Sequence, residues 1–278
     1  MDRILDEVKT IVITGQKLAR SLAAYRRLAA GPATPTADRE KVLDSIAAAA
    51  AALASSGLRA ELERWLGEER ARVASAREEF RFGFGGGLAA ALGELGLTPR
   101  GQLPVVRAGF FSLRVDFEAD SAALYWGPEV EKLASGIGLA PAVIARAVSD
   151  EQALLRKRAV EPGRLGGLLR ESYRRWCLVA GQAPGARAPL VELLAELVQL
   201  IQPEAFRADP ARRRFVEYPR VQFSHDLYRL RAAASGQPPR LHVATFDSTT
   251  SKAGALWVPD NEQGDGTNYS YLSYPGEG

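Results

Sequence analysis

The chain holds only two imidazoles, His225 and His242, so histidine chemistry has few places to occur. His225 stands beside Asp226 and His242 lies near Asp247. Such pairs could bind a metal or share a proton as acid and base, because imidazole titrates near neutral pH and a carboxylate can hold its ring. Nothing in the spacing makes the two pairs meet, and one half-buried histidine in a helix and another in a strand is the preferred reading. Asp116 and Glu118, with Ser112 and Arg114, alternate along one side of an apparent strand. Two carboxylates at i and i+2 could ligate Mg²⁺ in a phosphodiesterase-type site, against the routine alternative of an exposed strand face with mixed charges.

The remaining candidates are weaker. Asp260, Asn261, Glu262, Gly264, Asp265 and Gly266 share the composition of a calcium loop without its spacing or closing glutamate, so a solvated hairpin loop is preferred. Cys177 is the single cysteine, which excludes an intramolecular disulfide and a cysteine metal cluster; beside Trp176 on an apolar helix it reads as a packed thiol. No serine has a Gly-x-Ser-x-Gly context. Gly83, Gly85, Gly86 and Gly87 suggest a phosphate loop, but Leu88 occupies a fingerprint glycine position, no strand precedes and no Gly-Lys-Ser/Thr follows. A hinge is the better reading.

One basic set is left: Arg156, Lys157, Arg158, Arg170, Arg174, Arg175, Arg212, Arg213 and Arg214, interleaved with Tyr173 and Trp176. Such side chains could line a groove and contact phosphates without sequence specificity, since no helix-turn-helix, zinc finger or RNA-recognition motif is present. Regional charge favours this: between Gln152 and Arg240 there are sixteen Lys and Arg against eight Asp and Glu, while from Leu241 onward there is one against five. Arginine richness itself carries less. Only six of the 36 basic residues are lysine, and with abundant Ala and Gly this most simply reflects a GC-rich bacterial genome.

The elements that must position these residues follow from periodicity. Ile4, Val8, Ile11, Gly15, Leu18, Leu22 and Tyr25 alternate at spacings of four and three, a heptad seam. After the turn at Pro32 to Pro35, Thr36 caps a second helix through Val42, Ile46, Ala49 and Leu53; a third from Leu58 carries Leu62, Leu66, Val73, Ala76 and Phe80. Residues 1–82 are therefore expected to form a coiled-coil-like bundle, and 83–101 a glycine-rich hinge with a short helix. In 102–240, Phe111, Leu113, Val115 and Phe117 give a strand its dry face, and Leu124 to Trp126 return it as a hairpin. Helices are expected from Pro128, from Pro141 to Arg158, around Leu165 to Trp176, over Leu190 to Ile201 and from Ser224. Leu241 to Phe246, Ala255 to Val258 and Asn268 to Tyr274 predict a three-stranded meander over 241–278.

The expected class is α+β, predominantly helical. No catalytic, cofactor-binding or metal-ligating residue is assigned. With 46% hydrophobic and 25% charged residues the chain is globular. It starts without a basic segment leading into a long apolar core, and no apolar run nears the ~20 residues that span a bilayer. A cytoplasmic protein with no membrane contact is expected. The favoured function is a non-enzymatic subunit or adaptor of a multiprotein assembly, joining a partner or itself through its N-terminal helices and touching nucleic acid through its basic middle. The competing function is a metal-dependent phosphodiesterase or nuclease using Asp116, Glu118 or His225.

Overall fold

The structure, a computed structural model, describes residues 1–31, 36–53, 55–233, 239–245 and 254–274. It is α+β, as the sequence predicts. Helices α1 (Asp2–Ala30), α2 (Thr36–Ala51) and α3 (Ser56–Gly93) precede strands β1 (Pro99–Gln102), β2 (Val105–Ala108), β3 (Phe111–Asp116), β4 (Ser121–Trp126) and β5 (Glu131–Gly138). Then come α4 (Pro141–Arg158), α5 (Pro162–Ala180), β6 (Ala188–Pro189), α6 (Leu190–Ile201), α7 (Glu204–Ala208), a 3₁₀ turn at Arg212–Arg214 and α8 (Arg220–Ala232). Strands β7 (Arg240–Val243), β8 (Leu256–Pro259) and β9 (Gly266–Ser273) end the fold. The first sheet is antiparallel in the order β1-β2-β3-β4-β5; in the second, β9 pairs with β6, β7 and β8.

The chain divides into two compact units. The first comprises 1–94, 115–122 and 136–145. Leu18 and Tyr25 of α1, Leu43, Ile46, Ala49 and Ala50 of α2, and Leu62, Leu66 and Val73 of α3 share one core. The alanines of α2 let its neighbours approach closely. Tyr25 packs edge-on against Trp65 at 5.5 Å and donates to Glu69 at 2.9 Å. Burial and that carboxylate push the Tyr25 hydroxyl up to about 12. The start of α2 is capped by Asp120 of the β3–β4 turn, whose carboxylate accepts from the Ala37 amide at 2.7 Å and from the Thr36 hydroxyl. Thr36, expected to cap the helix itself, is instead its first residue. A carboxylate at this end also suits the helix dipole.

The glycine run does not interrupt α3. Phe84, Leu88 and Leu92, spaced by four, are buried and carry the helix's apolar face through Gly83 to Gly87 and on to Gly93. Each glycine costs about 1 kcal/mol against alanine, and the buried side chains between them offset it. Phe117, the fourth residue of the expected dry face, is only half-buried and meets Phe80 and Phe84 edge-on.

The second unit comprises 95–114, 123–135 and 146–278. Leu165, Leu169 and Tyr173 of α5, Leu190, Leu193 and Leu197 of α6, Phe223 and Leu227 of α8, and Leu256, Val258 and Leu272 of the second sheet form its core. Phe111 and Leu113 are buried as expected; Ser112, expected on the wet face, is buried too and donates to the Gly127 carbonyl at 2.6 Å. Trp126 donates from its indole to Ser224 at 2.9 Å, and Ser224 donates to the Trp257 carbonyl at 2.5 Å. Trp257 lies in a slot: a Cβ on Gly127 would stand 2.7 Å from its ring, and one on Gly266 2.5 Å.

Two expectations of local structure change. The helix expected from Pro128 is a tight turn into β5, because Gly127 and Glu129 both adopt positive φ, which a helix excludes. The tail forms the expected strands, but its last strand, β9, is central and takes β7 and β8 as partners. Tyr269 and Tyr274 are buried while Tyr271 stays exposed, so one face of the tail packs inward. Phe246, Asp247 and the turn residues Pro32 to Pro35 lie outside the described residues.

Candidate functional site

Asp226 is the most enclosed charged group among the described residues of the second unit, with no solvent exposure. It lies on α8, whose sequence Arg-Val-Gln-Phe-Ser-His-Asp-Leu-Tyr-Arg-Leu-Arg-Ala buries polar and apolar residues alike. Its carboxylate accepts from the Tyr218 hydroxyl at 2.9 Å, the Gln222 amide at 3.1 Å and the Val160 backbone amide at 3.1 Å. The Arg229 guanidinium lies 3.6 Å away and donates to the Val160 carbonyl at 3.0 Å. Burial, and then the Asp226 charge, push the Tyr218 hydroxyl far above the usual tyrosine range, so it remains a donor. The network ties α8 to the residues after α4.

His225, singled out with Asp226 by sequence, does not complete an acid-base pair. Its Nδ1 is 3.5 Å from Asp226 Oδ1, at the limit of hydrogen bonding, and has no hydrogen-bond partner among the described residues. Its ring lies 6.1 Å from those of Phe110 and Trp126. His242 is in β7, bonded to Ser273 at 2.9 Å; burial and the nearby Arg187 and Arg240 lower its pKa.

The carboxylates of the β3 face are engaged in local structure. Asp116 accepts from the amides of Glu118 and Ala119 at 2.9 and 3.0 Å, closing the turn after β3. Glu118 is held by Arg77 at 2.9 Å and by Arg81, and Arg77 also donates to the Phe117 carbonyl. Arg114 forms a two-pronged pair with Glu129. Among the described residues no three His, Cys, Asp or Glu side chains cluster as metal ligands. Around the Asp260 to Gly266 loop, Thr267 and Arg231 bond Asp260, and Asn261 bonds Asp265. Cys177 is a buried free thiol.

The chain matches no family model, no curated protein and no solved structure.

The nine basic residues are distributed over α4, α5 and the 3₁₀ turn, and much of their charge is matched locally. Arg158 pairs with Glu217 at 3.1 Å, Arg175 with Glu171 at 3.0 Å, and Arg213 and Arg214 with Asp209 at 3.9 and 2.9 Å. Arg170 stacks on Tyr274, its guanidinium 5.0 Å from the ring centre. Arg174 is exposed on α5. Arg156 bonds the neutral Gln152 at 3.2 Å. Arg156, Lys157 and Arg212 have no carboxylate partner among the described residues.

The heptad seam of α1 divides at its middle. Leu18 and Tyr25 are buried in the first unit's core, but Ile4, Leu5, Val8, Ile11, Val12 and Ile13 are all at least half exposed. The cause is length. At 1.5 Å per residue α1, with 29 residues, is about 44 Å long, and α2, with 16, about 24 Å, so α2 can cover little beyond the C-terminal half.

Proposed function

We infer that the chain is a non-enzymatic subunit or adaptor of a bacterial cytoplasmic assembly, and that it self-associates by pairing the uncovered half of α1 with that of a second copy. The carrying observation is the apolar face from Ile4 to Ile13, which continues the seam already used inside the first unit. A second copy is favoured because the same seam supplies both sides. The segment's charges, Asp2, Arg3, Asp6, Glu7 and Lys9, nearly cancel, so two copies are not kept apart by repulsion. The uncovered stretch, Ile4 to Ile13, is about 15 Å of helix, short for a stable interface, so the expected dissociation constant is micromolar or weaker.

Sedimentation velocity from ~5 to ~500 μM tests this. A concentration-dependent dimer is expected, abolished by Val8→Glu with Ile11→Glu. A wild-type protein that stays monomeric throughout refutes it.

Sequence-independent contact with nucleic acid is carried by Arg156, Lys157 and Arg212, the members of the basic set without a described carboxylate. Three phosphate contacts correspond to a slope of about −3 in log K against log salt. A slope near zero, or binding that survives charge reversal of Arg212 to Arg214, refutes it.

A further inference from the structure

A cavity of about 560 Å³ opens in the second unit, within the range that holds small organic ligands. It is built from five pieces of chain, the first being Gly96 and Leu97 ahead of β1. Gln152 and Arg156, one turn apart on α4, face it, as do His225, Tyr228 and Arg229 on one side of α8. Phe110 enters from the β2–β3 turn, and Glu262 from the β8–β9 loop.

The lining combines three kinds of group. Phe110 and Tyr228 meet edge-to-face at 5.2 Å, and His225 extends this aromatic wall. Of the two guanidinium groups in the lining, Arg229 is balanced by Asp226 at 3.6 Å, which leaves Arg156 as the cation without a carboxylate partner among the described residues and Glu262 as the carboxylate of the lining. Arg229 is anchored at the Val160 carbonyl and beside Asp226, while Arg156 bonds Gln152. Burial, and then Glu262, raise the pKa of the Tyr228 hydroxyl and keep it a donor.

We propose that this cavity binds a planar aromatic monocarboxylate of one or two rings. The ring stacks on Phe110 and Tyr228, and the carboxylate takes a two-pronged bond from Arg156. Glu262 accepts from a hydroxyl or ring N–H at the ligand's far end. The one guanidinium not matched by a carboxylate, Arg156, suits a singly charged carboxylate; a phosphate dianion would face Glu262 with a single cation to balance it. The assignment is independent of α1 pairing.

Titration calorimetry on the full chain, with 4-hydroxybenzoate and indole-3-acetate as probes and cyclohexanecarboxylate and inorganic phosphate as comparators, tests it. At least one aromatic acid is expected to bind saturably at sub-millimolar concentration, tenfold or more tightly than either comparator. Arg156→Gln is expected to weaken that binding at least tenfold without changing the unfolding midpoint, because its side chain is exposed. Arg213→Gln, whose residue lies outside the cavity, should leave binding unchanged. No saturable binding of either aromatic acid up to ~10 mM overturns the proposal. So does phosphate binding as tightly as the aromatic acids, or equal affinity in Arg156→Gln.

Discussion

Replacing Asp226 with alanine tests whether its network holds the second unit together. The substitution leaves the Tyr218 hydroxyl and one Gln222 donor buried without an acceptor, at about 1–3 kcal/mol each. Val160 and Arg229 are partly exposed and can turn to water, so their losses are small. The total, about 2–6 kcal/mol, brackets the ~3–5 kcal/mol that removal of one partner from a buried charged pair typically costs. With a urea dependence of ~2 kcal/mol per molar, the unfolding midpoint of the second unit falls by about 2 M. Tryptophan fluorescence can follow that unit alone in a Trp65→Phe background, because Trp126, Trp176 and Trp257 all belong to it. Asp226→Asn keeps one acceptor oxygen and is expected to lose less than half as much. Tyr218→Phe should be non-additive with Asp226→Ala, with a coupling of at least ~1 kcal/mol. A midpoint shift below ~0.5 M, or simple additivity, would show that the network bears little of the stability.

Tyr218 also predicts a pH response. Its folded-state pKa is raised above the unfolded value near 10. The stability it contributes is therefore complete below about pH 10 and declines as pH rises beyond that, because only the unfolded chain gives up the proton. Urea midpoints measured from pH 8 to 11 should fall at the alkaline end, and Tyr218→Phe should flatten the fall; equal slopes refute the reasoning. In α3, Gly85→Ala and Gly86→Ala add a Cβ that meets nothing within 4 Å, so each should stabilise the first unit by about 1 kcal/mol in thermal unfolding. At Gly87 the added Cβ would lie 3.2 Å from the Pro141 ring, so that substitution should gain less or lose stability. Equal effects at Gly86 and Gly87 would contradict the packing described.

Periodicity made much of this fold legible. The seam of α1, the dry face of β3 and the amphipathic stripes of α4 to α6 all depend on side-chain repeats that reflect burial directly. It failed where tertiary packing overrode local preference. Glycines in α3 signal a break, yet Phe84, Leu88 and Leu92 keep the helix intact. Strands β1 and β2, four residues each, contain or adjoin Gly101 and Pro104 and bear no usable alternation. The site was legible only in part. The His225–Asp226 pair lies on α8, where Asp226 is the centre of the buried network, and its partners Tyr218, Gln222 and Val160 come together through folding alone. Regional net charge likewise overstated the free positive surface, because Glu171, Asp209 and Glu217 lie beside the arginines that they neutralise.

The slot around Trp257 bears on the order in which the chain is made. Gly127 and Trp126 emerge from the ribosome some 130 residues before the indole they enclose, a wait on the order of ten seconds at ~5–20 residues per second. Until then Ser224 has no Trp257 carbonyl to bond, and the aromatic centre of the second unit has an open side. The buried cluster shared by the first unit's three helices ends at Val73 and has no such dependence, although Asp120 and Phe117 must still arrive to cap α2 and cover Phe80 and Phe84. A nascent chain therefore passes through a stage with a finished helical core and an unclosed second one, during which Trp126 and Phe111 are the surfaces a chaperone would find.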